Sequence, residues 1–128
     1  MTMREHLFEY AVVRVVPRVE RGEFLNIGVV VYCRAVGFLA MRTHLDTARL
    51  CMLCATLDME ELHEHITAFE RICRGDASAG PIASYDIAER FRWLTAVRST
   101  IVQCSEVHSG LCTDPTATLE HLFTTLVL

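Results

Sequence analysis

Chemistry-bearing side chains are densest between Arg98 and Pro115, read R-S-T-I-V-Q-C-S-E-V-H-S-G-L-C-T-D-P. An arginine, a run of hydroxyls and a histidine precede an Asp-Pro pair with the form of a helix start, Asp114 as cap and Pro115 in the first helical position. Arginine forks and the free amides of a helix N-terminus are what proteins use to hold anions, so Arg98, Ser99 and His108 are candidate ligand groups. The competing role is structural: Arg98 and Ser99 tie a helix to a strand, and residues 108–113 form a polar turn. Ser99, His108 and Asp114 also occur in an order that a catalytic triad could use. Asp114 is already accounted for as a cap, however, and the spacing fixes no nucleophile against its base.

Arg14 is the second group of interest, because it interrupts the apolar run Y-A-V-V-R-V-V. An unpaired buried charge costs several kcal/mol, so this guanidinium must find an acid such as Glu23 or Glu106, reach an anionic ligand, or lie on an exposed side of its strand. Cys51-Met52-Leu53-Cys54 has the C-x-x-C form, but it falls inside an apolar helical stripe, and no second pair completes a tetrahedral metal site. The Glu60, His63, Glu64, His65 group has the pattern of a solvated helix face. Dinucleotide, P-loop, nucleophile-elbow and H-E-x-x-H motifs do not occur in the chain, and neither a metal nor a cofactor is expected.

These groups must be positioned by a chain of 128 residues, the size of one compact domain covering 1–128. Hydrophobic residues make up 52% of it, enough for a dense core and for an interaction surface. The twelve basic residues are all arginine and the net charge is −4, which disfavours general nucleic-acid binding. No window has the ~18 apolar residues of a membrane span. The first residues, with Arg4, Glu5 and Glu9, lack the apolar core of a signal peptide, so the expected location is the cytoplasm. In a reducing compartment the six cysteines are then small hydrophobes rather than disulfide partners.

Valine-rich runs predict strands over Phe8–Arg18 and Phe24–Arg34, joined as a hairpin through the polar segment with Gly22, and a third strand over Val36–Arg42. A hairpin register centred on Arg21 puts Ala11, Val13 and Val15 beside Ile27, Val29 and Val31 on one apolar face, and Arg14 opposite Gly28. Helical spacing follows, with Asp46, Asp58, Asp86 and Asp114 as N-caps and Gly75 as a stop. The last strand is placed at Ser99–Val107. The order βββ-αα-α-β-α predicts an α+β fold, a mainly antiparallel sheet of about four strands with helices packed on one face. If the last strand joins the hairpin antiparallel, Arg14, Asn26, Arg98, Ser99 and His108 converge around Gly28.

Two stretches, Arg14 to Cys33 and Arg90 to Pro115, resemble the bacterial family called domain of unknown function 3037, over nearly the whole chain. The matching positions include Arg14, Arg21, Glu23, Asn26, Gly28, Arg98, Ser99, His108, Gly110 and Asp114; the chain is richer in cysteine, at Cys51, Cys54 and Cys104, than the family pattern. The resemblance implies a small stand-alone bacterial protein, often encoded beside a HipA-like kinase, and supplies no catalytic residue. The expected function is therefore a non-catalytic interaction or accessory protein, its partner such a kinase or a second copy of itself. The alternative is an enzyme or ligand-binding protein that recognises a small anion, such as a nucleotide or phosphorylated metabolite, through Arg14, Asn26, Gly28, Arg98, Ser99 and His108.

Overall fold

A computed structural model describes residues 4–128. Three antiparallel strands open the chain, β1 (His6–Val15), β2 (Leu25–Cys33) and β3 (Phe38–Thr43), followed by helices α1 (Thr47–Leu53), α2 (Met59–Arg74) and α3 (Ile87–Thr95). Short strands β4 (Val102–Cys104) and β5 (His108–Cys112) and helix α4 (Pro115–Leu126) complete it. The sheet order is β3-β2-β1-β4, and β5 pairs with the other half of the same side of β1. The fold is α+β with an antiparallel sheet, as the segregation of strands and helices predicts.

Each helix begins where an aspartate offers its carboxylate. Asp46 accepts from the Arg49 amide at 3.1 Å, Asp58 from Glu61 at 3.1 Å, Asp86 from Glu89 at 2.9 Å and Asp114 from Thr116 at 3.1 Å. Helix α2 ends at Gly75, whose φ of 71° is the left-handed conformation that terminates helices at little cost to glycine.

The hairpin register differs from the expected one by a residue. Val13, not Arg14, stands opposite Gly28; beyond it a bulge at Ile27 lets Arg14 pair with Asn26. The 3-10 turn at Val19–Arg21, closing on Gly22 at φ 68°, is not symmetric about Arg21 and starts the hairpin two residues off the expected register, with Arg14 on Asn26; the bulge at Ile27 takes back one and leaves the odd offset. A one-residue slip exchanges the faces of a strand. Val13, Val15 and Ile27 therefore share a core with Val30 and Tyr32 under α1, α2 and α3, whereas Val29 and Val31 pack on the other side with Phe8, Cys112, Leu119 and Phe123.

All five valines and isoleucines expected on one face are fully buried, but in two cores, and the expectation of helices on one face is corrected: α4 covers the reverse face. The physical reason is that β2 is apolar on both sides, V-V-V-Y-C, and each side needs its own cover. At Gly28 the sheet packs tightly against β3. A Cβ there would stand 2.7 Å from the Arg42 carbonyl oxygen and 2.8 Å from Thr43 Cγ2, so glycine lets β3 approach.

The predicted final strand, Ser99–Val107, is also corrected. Only Val102–Cys104 of it forms a strand, β4, and residues 108–112 of the expected polar turn at 108–113 form a second piece, β5, paired with His6 to Tyr10. Its glycine accommodates an aromatic ring: a Cβ on Gly110 would lie 2.9 Å from the edge of Phe8. Between the two pieces, the backbone of Ser105 stays tied to Val12.

Candidate functional site

The candidate residues fall into three separate places. Arg14 alternates with Val13 and Val15 and so projects from the α4 side of the sheet. Its Nε donates to Asn26 Oδ1 at 3.4 Å, and its guanidinium carbon stands 4.0 Å from the centre of the Phe24 ring. Asn26 in turn donates from Nδ2 to the Leu126 carbonyl at 3.2 Å. The two residues thus link β1 and β2 to the C-terminal turn of α4, where free carbonyls need donors; Arg49 Nη1 serves the next one, Val127, at 3.3 Å. No carboxylate pairs with Arg14 among the described residues, so Glu23 and Glu106 do not play that role. Glu23 instead pairs with Arg21.

Arg98 belongs to the opposite face. It donates to the Trp93 carbonyl, and its guanidinium carbon lies 4.4 Å from the Trp93 ring centre and 5.1 Å from that of Phe69, both on the α2 and α3 side. Burial against these rings lowers its pKa from the ordinary arginine value. The neighbouring Cys104 thiol donates to the Leu94 carbonyl at 3.3 Å and is pushed up to about 11 by burial. This corner closes the end of α3 onto the last strand, the contacts that a structural tie makes. Ser99 beside it is exposed.

His108 begins β5 opposite Tyr10, with ring centres 5.3 Å apart. The Val16 amide donates to the Ile101 carbonyl, so residues 98–101 lie past the far end of β1. Six residues of strand separate that end from Tyr10, roughly 20 Å at the usual rise. The convergence of Arg14, Asn26, Arg98, Ser99 and His108 around Gly28 therefore does not occur. Only Arg14 and Asn26 meet, and Gly28 faces the β3 backbone instead of making room for an arginine. Asp114 is likewise committed to the Thr116 and Ala117 amides.

Two other features were not singled out by residue type. One is a cleft of about 470 Å³ between the β1–β2 turn and the end of α1, lined by Arg18, Arg21, Cys54 and Thr56 among others. Cys54 Sγ lies 3.5 Å from Thr56 Oγ1, and this bond, with Arg18 adding a smaller electrostatic effect, lowers the thiol pKa. Cys51 is exposed on the same helix. No group of three or more histidine, cysteine or acidic side chains that could hold a metal is assembled among the described residues.

The other feature is the free edge of the sheet at β5. Leu7 and Leu111 stand directly opposite one another on β1 and β5, and both are large apolar side chains left 62% and 65% exposed. On the same face, Leu7 borders a shallow cleft walled by Tyr32, Ala35, Ile87 and the Glu9–Arg92 ion pair. That pair is bidentate, at 2.7 and 3.1 Å, and the Glu9 carboxylate raises the Arg92 pKa. The signal for this edge was present in the sequence as two leucines with polar residues two positions to either side, Glu5 and Glu9, Ser109 and Thr113, but it acquires meaning only once β5 is known to be a strand.

No helix among the described residues is long and apolar enough to cross a membrane. No curated protein and no solved structure matches the chain. One family model does, over residues 10–127, a match that takes in all four helices and every strand except the first four residues of β1: the chain belongs to the family described as protein of unknown function (DUF3037).

Proposed function

We propose that the chain is a non-catalytic interaction or accessory protein of the bacterial cytoplasm that docks a protein partner at the β5 edge. The observation that carries this reading is the Leu7–Leu111 pair, two opposed apolar side chains exposed beside an edge strand that no other strand covers among the described residues. Apolar surface of this kind, next to unpaired strand backbone, is a hallmark of recognition surfaces. A HipA-like kinase encoded nearby is the first partner to test. Co-expressed with it, the chain is expected to co-elute in size exclusion as a complex, and the double variant Leu7→Ser/Leu111→Ser is expected to lose the complex at unchanged melting temperature. A chain that stays monomeric, with this variant indistinguishable from the parent in every association assay, counts against the reading.

A second reading, recognition of a small anion such as a nucleotide or phosphorylated metabolite, is favoured by the Arg18 and Arg21 cleft rather than by Arg14 and Arg98. A thermal-shift screen tests it, since a ligand at 100 times its Kd stabilises by about 2.7 kcal/mol. Loss of the shift in Arg18→Ala would place the ligand there.

A further inference from the structure

Resting on the interaction reading above, the geometry points to a specific mode of recognition: an extended segment of another protein, basic at both ends, adds to the sheet as a strand beside β5. Among the described residues the outer side of β5 carries no strand, and His108, Ser109 and Leu111 are exposed along it. The opposite edge, β3, is held differently. It is flanked by helices on both faces, with Thr43 bonded to Glu70 of α2 at 3.1 Å and Arg42 paired with Glu120 of α4. Natural edges are blunted by inward charges, prolines or covering elements, and β5, H-S-G-L-C, has none of the first two within it.

Charge then selects the occupant. A second copy would pair antiparallel about Gly110, a register that, carried two residues past each end of β5, brings the exposed Glu106 of one chain toward Asp114 of the other. Like charges so opposed disfavour the homodimer. The same two carboxylates, with Glu5 next to the His6–Cys112 pair and Arg4 the one nearby arginine in sequence, leave the edge net acidic. A strand with lysine or arginine near each end comes near the exposed Glu106 and the negative charge of Asp114, whose Oδ1 alone is taken by the α4 cap, and an apolar residue on the face it shares with Leu111 extends the exposed Leu7–Leu111 pair. Main-chain bonds give such complexes affinity, and the alternate side chains give them specificity.

The test is selection of a random nonapeptide display library on the full chain, followed by titration of the consensus peptide. The expected consensus alternates apolar and polar residues between basic ends. It binds the parent, binds Leu111→Arg and Glu106→Lys at least tenfold more weakly, weakens with added salt, and slows hydrogen exchange of β5 amides in the complex. Both substituted side chains are exposed, so circular dichroism of each variant is expected to match the parent. An acidic or charge-indifferent consensus, or β5 amides that exchange as fast in the complex as without it, overturns strand addition. If the partner complex forms and depends on Leu7 and Leu111 while β5 stays unprotected, strand addition fails and the interaction reading stands; if no complex forms, the interaction reading itself fails. A symmetric dimer whose β5 amides are protected overturns the choice of occupant.

Discussion

Val12 and Ser105 hold the break in the last strand closed by a pair of bonds: the Val12 amide donates to Ser105 Oγ at 2.9 Å, and the Ser105 amide donates to the Val12 carbonyl at 2.8 Å. A side-chain oxygen here takes the place of a ladder carbonyl, which lets β4 and β5 share the same side of β1 although the backbone between them leaves the strand path. Ser105 is the one buried polar side chain, 5% exposed, among the described residues.

Ser105→Ala removes that acceptor and leaves the Val12 amide without its partner inside the protein. An unsatisfied buried donor costs about 1–3 kcal/mol, so a drop in denaturant midpoint of that size is expected, with faster exchange of the Val12 amide. Ser105→Thr retains the hydroxyl and should recover part of the loss.

Arg98→Ala is expected to lower stability while leaving association unchanged per folded molecule. Its guanidinium lies on Trp93 and Phe69 and satisfies the Trp93 carbonyl, contacts worth together on the order of 1–3 kcal/mol. Arg98→Lys keeps the charge but not the flat stacking and should fall between the two. Thermal melts alongside partner and ligand titrations separate this structural role from a binding one.

Gly28→Ala drives a methyl group into the Arg42 carbonyl oxygen and Thr43. Overpacking of this kind typically costs about 1–3 kcal/mol, and the backbone cannot yield as a flexible side chain would. The measured unfolding free energy should drop accordingly; an unaltered value would show that β3 stands farther from β2.

Thiol chemistry supplies a pH-dependent prediction. Burial pushes Cys73 up to about 12 and Cys104 up to about 11, against an ordinary value of 9.0. Between pH ~9 and those values the unfolded chain releases protons that the folded chain keeps, so it binds fewer protons and stability decreases as pH rises. Replacing both residues with alanine should flatten the alkaline limb of a stability–pH curve. At pH 8, Cys51 and Cys54 are expected to react with a thiol probe before Cys73, Cys104 and the buried Cys33 and Cys112. Peptide mapping after brief labelling reads that order directly.

The local features were legible in the amino-acid sequence because their causes are local. Four aspartate caps, the glycine stop at Gly75, the helical stripes through Leu62, Ile66, Phe69 and Cys73, and the valine strands each depend on residues within a turn or two of one another. The α+β class followed from their order, and the family resemblance from two continuous stretches. The segment H-S-G-L-C was not legible as a strand, since its pairing energy and the space for its glycine come from β1 and Phe8, about a hundred residues away in sequence.

The candidate site depended on the least local quantity of all, strand register. The bulge at Ile27, which turns the even offset set by the turn at Gly22 into an odd one, sent Val29 and Val31 to the reverse face and gave that face a helix of its own. The turn moved Arg14 two residues, from Gly28 to Asn26, and the separate path of residues 96–101 put Arg98 on the other side of the sheet. Sequence alone therefore determined which side chains could bind an anion or a partner. Tertiary structure decided which of them were consumed in holding the helices down and which, Leu7 and Leu111 at the open edge, remained exposed, because alternation along a strand converts one residue of register into a change of face for every side chain beyond it.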